Sequence, residues 1–208
     1  MNNMNEISSI KVIDEPKGID TLLTLFERVA SEQGWQPGNQ MRYHTDNSIF
    51  FAAYVNGKLA GGLQLVIPDD TGLLPSHAVW PDVDLTVSKK GGHVAVLALL
   101  PEYRGSHDLF WKICVEMWRY CVTTGMEPLT LEVTPSMLNL YRKIGFPLKV
   151  VGDLREHWGE PCYLTRLDIL DVAGTLLIKA VKSTTYKRLV MTACRSEALP
   201  EGHVNSCV

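Results

Sequence analysis

Residues 91–105 read GGHVAVLALLPEYRG. After the two glycines, His93 alone interrupts an apolar run that lasts to Leu100 and stops at Pro101. A short unbroken run of this kind is the pattern of a central strand buried on both faces. PEYRGSHDL, residues 101–109, then leads into a segment with helical spacing. Strand, turn, helix is the arrangement that decides the fold. The first turn of a helix presents unpaired N–H groups and the positive end of the helix dipole, so a turn of this kind suits phosphate oxygens.

Downstream, DLFWKICVEMWRYCVTTG (residues 108–125) repeats apolar residues on one helical side and ends on Gly125, a helix stop. PLTLEV (128–133) reads as the next strand, SMLNLYRKIGF (136–146) as a short helix closed by Gly145, and PCYLTRLDI (161–169) as a last strand. Upstream, SIFFAAYVNGKLAGGLQLVIPDD (48–70) is a hairpin about Asn56-Gly57. GIDTLLTLFERVASEQGW (18–35) predicts a helix capped by Asp20, with Leu22, Leu23, Phe26, Val29 and Ala30 on its inner face. ISSIKVI near the start suits a short edge strand. LLPSHAVWP (73–81) lies in a long connection over something apolar. Helix, hairpin, strand, helix, strand, helix, strand describes an α/β domain: a mixed central sheet with helices on both faces. AGTLLIKAVKSTTYKRLV (173–190) adds an amphipathic helix with a loose end after it. The expected division is therefore 1–170 for the domain and 171–208 for a C-terminal helical extension.

Composition narrows the function. A net charge of -3 without a basic stripe argues against nucleic acid as a partner. Cys114, Cys121, Cys162, Cys194 and Cys207 form no CxxC pair, so no zinc ribbon, redox motif or metal site is expected. The apolar setting of Cys114 and Cys121 suggests buried thiols in a reducing cytoplasm. No stretch reaches the length of a membrane span.

LALLPEYRG, a helix, LTLEV and then LYRKIGF stand in the order found in the GNAT superfamily of N-acyltransferases, which the chain resembles over roughly residues 19–170. Arg104 matches the family's phosphate turn, whereas His107 and Leu109 stand where small residues are usual. Tyr141, Gly145 and Phe146 match the later motif. LLPSHAVWP, VTPSMLNLYRKIGFPLKVVG and WGEPCYLTRLDI are similar to the branch containing acyl-homoserine lactone synthases and N-acyl amino acid synthases. The lactone synthases carry a set of acids after an N-terminal Trp. Here Trp35 is followed by QPGNQMRYHTDNSI, with Gln40, Arg42, His44 and only Asp46 acidic, so an amine other than theirs is expected.

The resemblance implies a thioester donor, either acyl-phosphopantetheine on an acyl carrier protein or acyl-CoA, and a small-molecule or amino-acid amine as acceptor. The donor's arm would enter a gap between VAVLALL, at Leu97 and Leu99, and LTLEV. Its phosphate would meet Arg104, Gly105, Ser106, His107, Asp108 and Leu109. Side chains at His107 and Leu109 and the charge of Asp108 are expected to crowd a pyrophosphate, which favours the carrier protein's single phosphate.

Tyr141 matches the family's general acid; the alternative is an aromatic packed at the core edge. His93 is the first candidate for the base that takes the amine's proton, against a strand-end histidine bonded locally, and Glu132 is the second. Strand alternation predicts that His93, Ala95, Leu97 and Leu99 share a face. Trp80, Trp111 and Trp118 are candidates for an acyl pocket, with plain core packing as the commoner reading of large aromatics. The basic tail residues are read as a solvated face, with docking of an acidic carrier protein as the alternative. Rival readings are an acetyl-CoA-dependent acetyltransferase and a non-catalytic module of the same shape.

Overall fold

The structure is a computed structural model that describes residues 8–70, 72–84, 90–105 and 107–194. Ser106, the His107 side chain and the end of the chain from residue 195 lie outside the described residues. Seven strands form one mixed sheet in the order β1-β2-β3-β4-β5-β7-β6. They are β1 (Ser8–Ile13), β2 (Ser48–Val55), β3 (Lys58–Val66), β4 (Gly92–Leu99), β5 (Leu129–Val133), β6 (Lys149–His157) and β7 (Glu160–Leu167). Only the β4–β5 pair is parallel. The helices are α1 (Pro16–Gln33), α2 (Gln40–Tyr43), α3 (His107–Thr124), α4 (Pro135–Ile144), α5 (Ile169–Lys182) and α6 (Thr184–Cys194).

The sheet has two coats. On one face α1 buries Leu22, Leu23, Phe26, Val29 and Ala30, the residues its spacing marked, against Phe50, Ala52, Val96 and Ala98. On the other face α3, α4 and α5 bury Leu109, Ile113, Leu138 and Val172 against Phe51, Leu63, Leu129 and Leu167. The β2–β3 hairpin turns on Asn56 and Gly57, both at positive φ (50° and 78°), the primed-turn geometry that matches strand twist.

Four local expectations change. α1 starts at Pro16 with Glu15 before it, not at Asp20; proline at the first helical position fits, because its missing N–H would have had no partner there. Asp20 instead pairs with Arg42 at 2.8 Å. The extension holds two helices, broken at Ser183, whose backbone is extended (φ -145°, ψ 124°). β6 is an edge strand that alternation did not mark, because its one buried residue is Gly152. A Cβ there would stand 2.6 Å from Cδ1 of Trp80, so glycine lets the indole lie against the strand. Trp80 is fully buried there with Cys162 and Leu164, and donates from Nε1 to the Asp153 carbonyl at 2.9 Å.

The fourth change is on β4. Its register against β3 slips between Gln64 and Leu65, which pair with Val96 and Val94 and leave Ala95 as a bulge. A bulge puts two successive residues on one side and reverses the alternation beyond it. Ala95, Val96 and Ala98 consequently pack with α1, while Leu97 and Leu99 pack with α3. The expected shared face of His93, Ala95, Leu97 and Leu99 does not exist.

Candidate active site

β4 and β5 pair only at Gly92–Leu129 and His93–Thr130 and then diverge. Beyond that point Val94, Ala95 and Leu97 on β4 and Leu131 on β5 are only half-buried, although they lie in mid-sheet. The gap expected between these two strands is therefore present. Strand edges that part leave N–H and C=O groups unpaired with each other and free for a third partner.

The last paired residue of β4, His93, lies at the bottom of this gap with its side chain 2% exposed. Its Nε2 is 3.1 Å from Glu132 Oε2, and Glu132 is itself 6% exposed. Its Nδ1 is 3.0 Å from Thr130 Oγ1. Both ring nitrogens are thus engaged, and the free acceptor of the pair is Glu132 Oε1, buried without a hydrogen-bond partner. A buried carboxylate oxygen without a donor is costly, and such atoms are rare unless a site needs them. Glu132 and Thr130 point away from α3 and α4, since Leu129 and Val133 occupy that side.

Two more histidines act on this pair. Burial holds the His44 imidazole below its ordinary pKa, and the nearby His93 adds to that. Burial also lowers His157, partly offset by Glu132. Burial pushes the Glu132 carboxyl up, but the charge and hydrogen bond of His93, with His157 beyond, outweigh it and hold the group below the usual carboxylate range. Sequence reasoning missed His157. It ends β6 ahead of a turn in which Trp158 (φ 54°) and Gly159 (φ 85°) are both left-handed. A tryptophan in that conformation is unusual and needs outside support. Here Trp158 stacks on His157 at 5.0 Å, and its Nε1 donates to Gln40 Oε1 at 2.6 Å. Positive φ at a bulky residue next to a buried polar pair was the signal, and it is invisible in sequence. Gln40 and His44 come from the stretch that lacks the lactone synthases' acids; Arg42, between them, faces Asp20 and Glu27 instead.

Tyr141 lies across the sheet, on α4. Its ring stacks on Phe110 at 6.4 Å and meets Phe146 edge-on at 5.9 Å. Its hydroxyl makes no hydrogen bond among the described residues, and burial keeps it protonated far beyond neutral pH. The structure does not bring Tyr141 and His93 into contact. Behind Phe146 lies an apolar cavity of about 200 Å³ between α3, α5 and α6, walled by Trp111, Trp118, Leu167, Val172 and Leu176. Trp111 and Trp118 thus line a cavity, whereas Trp80 and the LLPSHAVW segment belong to the opposite face.

Of the residues expected to crowd the turn before α3, Asp108 and Leu109 are described and the His107 side chain is not. Leu109 is 2% exposed, inside the core, and offers the turn no side chain. Asp108 is paired with Lys112 at 2.7 Å, which offsets its charge. Gly105 has open space about it. Arg104 donates from Nε to the Leu99 carbonyl at 3.0 Å, securing the end of β4. No group of histidines, cysteines and acids able to hold a metal occurs among the described residues. Burial raises the Cys114 and Cys121 thiols to about 12 and Cys162 to about 11, which leaves them inert as nucleophiles.

This architecture has solved counterparts. The structure of FeeM, an N-acyl amino acid synthase from uncultured soil microbes, superposes with a TM-score of 0.70 at 14% identity, over 82% of this chain and 96% of that one. BjaI, a CoA-dependent acyl-homoserine lactone synthase determined with MTA, gives 0.67 at 12% identity over 93% and 92%. An N-acetyltransferase from Lactobacillus plantarum, described as putative, gives 0.59 at 13% identity over 78% and 98%. At these identities the likeness is one of fold, and the fold is GNAT-like. No curated protein matches the chain by sequence. The family model described as N-acyl amino acid synthase FeeM matches residues 23–168, and with that match over most of its length the chain belongs to the FeeM family of N-acyl amino acid synthases.

Proposed function

We propose that this chain transfers an acyl group from a thioester to the amine of a small molecule or amino acid, with Glu132 as the base and His93 as the group that positions and tunes it. The observation that carries this reading is the unpartnered Glu132 Oε1, held buried beside the opening of the β4–β5 gap. The acceptor's nitrogen attacks the thioester carbonyl, forming the C–N bond, and passes a proton to Oε1 directly or through one water. The C–S bond breaks, and the departing sulfur takes a proton from the Tyr141 hydroxyl, which burial keeps protonated until that step. Proton exchange with solvent restores both groups. Unpaired N–H groups on the parted strand edges are suited to the carbonyl oxygen as it gains charge.

His93 was the first candidate for base. With both nitrogens committed, it fits better as the donor that fixes the Glu132 carboxylate. The apolar cavity shares Phe146 with the Tyr141 cluster, which favours an acyl chain longer than acetyl. The donor is a phosphopantetheine thioester on acyl carrier protein or on CoA. The paired Asp108 and the buried Leu109 remove much of the reason for preferring the carrier protein. The free cysteines fit a reducing cytoplasm. Turnover with long-chain and acetyl thioesters of both carriers, against a panel of amino acids, tests the reading. Amide product from a long-chain donor supports it, turnover of acetyl-CoA alone favours the acetyltransferase, and no turnover or thermal shift with any donor leaves a non-catalytic module.

A further inference from the structure

α5 is amphipathic in an inverted sense. Ile169 and Val172 are buried, and Leu176 packs against the same core. The opposite side is where a surface helix normally turns polar residues to water. Here it carries Leu170, Leu177, Ile178 and Val181, exposed by 72, 55, 68 and 85%. Their spacing of seven, eight and eleven residues from Leu170 places them in one stripe along the helix. Met191 on α6 adds a further exposed apolar side chain, at 55%. A group of large aliphatic side chains this open marks a surface that meets something other than water.

Charge indicates what that is. Residues 172–194 contain Lys179, Lys182, Lys187 and Arg188 and no acid, in a chain of net charge -3. Asp171, just ahead of them, is already paired with Lys149 at 2.8 Å. Lys179 is tied to the Lys143 carbonyl and the Tyr186 ring. Lys182, Lys187 and Arg188 are exposed and make no ion pair among the described residues. Aliphatic side chains flanked by unpaired cations are the signature of a helix that lies on an anionic bilayer. No helix among the described residues is long and apolar enough to cross a membrane, so the contact is peripheral. An acidic carrier protein would match the cations but leave the aliphatic stripe unmatched. A symmetric pairing of two copies through this face would bring the same cations together.

We propose that the outer face of α5 and α6 docks this protein onto an anionic lipid surface. Leu177 belongs to the exposed stripe and also lines the apolar cavity, so the docked face borders the cavity wall. The proposal stands on the helix pair and not on the acyl-transfer reading, and its test needs no substrate. The full chain is floated with vesicles of phosphatidylcholine alone and with vesicles that also contain phosphatidylglycerol. Binding is expected only to the second kind, and it should weaken as salt is raised. Replacing Lys182, Lys187 and Arg188 by Gln should lower the partition about fivefold for each charge, or about a hundredfold together. V181D should abolish it, with the circular dichroism spectrum unchanged. Failure to float with anionic vesicles, or flotation indifferent to these substitutions, overturns the proposal. So does a dimer in light scattering that V181D dissociates, or protection of the face by an acyl carrier protein in hydrogen exchange.

Discussion

The two faces of the sheet hold different chemistry. On the α1 face, where β4 and β5 part, His93, Thr130 and Glu132 are buried together and hydrogen-bonded, and His93 lies close enough to help lower both His44 and His157. On the α3 face the corresponding depth holds Phe110, Phe146 and an apolar cavity, and Tyr141 brings a hydroxyl with no hydrogen bond among the described residues. One side holds an unpartnered carboxylate oxygen in a polar nest, and the other holds a protonated hydroxyl in an apolar one. Between the two faces the sheet parts at the gap that starts after His93. A thioester lying through the sheet would present its carbonyl to one face and its sulfur to the other, so the asymmetry of the faces matches the two proton transfers the reaction needs.

The comparison breaks most sharply at Glu132. E132Q should lower turnover by about a thousandfold in a protein that still folds, as initial rates and circular dichroism will show. A loss of less than tenfold would move the base away from the polar face. On the apolar face, Y141F should cost about a hundredfold in turnover and nothing in stability, since its hydroxyl has no partner to lose. Equal turnover would reduce Tyr141 to packing.

His93 sharpens the comparison through pH. His93 holds the Glu132 pKa down, so under the proposed role activity should persist to low pH and fall as pH drops through that depressed value, as a pH–rate profile will show. H93Q removes that pull, and the acid limb of kcat/KM should move to higher pH by about one unit. The same depression makes Glu132 favour folding above the ordinary carboxylate range, and this contribution is lost as pH falls through the folded-state pKa. The smallest effect belongs to Trp118 beside the cavity, whose Nε1 is buried without a partner. W118F should leave stability within about 1 kcal/mol of the parent by denaturant titration, because there is no hydrogen bond to lose.

Much of the scaffold was legible because its elements obey one period each. The apolar run of β4, the Asn56-Gly57 hairpin and the spacing of α3 and α4 all lie where the letters put them. β6 escaped because an edge strand that buries only a glycine has no alternation to show. At the site, the letters name His93 and Glu132 and put His93 first, an order the proposed roles reverse. Their ranking rests on which ring nitrogens are occupied, and that depends on Thr130, a partner supplied by strand pairing. The bulge at Ala95 is a backbone event, so alternation sent Leu97 and Leu99 to the wrong face. His157 was hidden because the left-handed turn at Trp158 leaves no mark in composition. Leu109 looked like an obstruction when judged by its place in a motif, but its direction was set by the first turn of α3, which points it into the core.

The two-residue contact between β4 and β5 also has a mechanical meaning. The sheet is two blocks, β1 to β4 and β5 to β7, joined along one line by the pairs Gly92–Leu129 and His93–Thr130. A donor whose amides bond to both free edges would act as a temporary eighth strand and tie the blocks together. Occupancy of the gap would then do more than raise the melting temperature. It would add strand pairing to the core that the two blocks already share, and slow hydrogen exchange most strongly in the amides of Val94 to Leu97 and Leu131 to Val133.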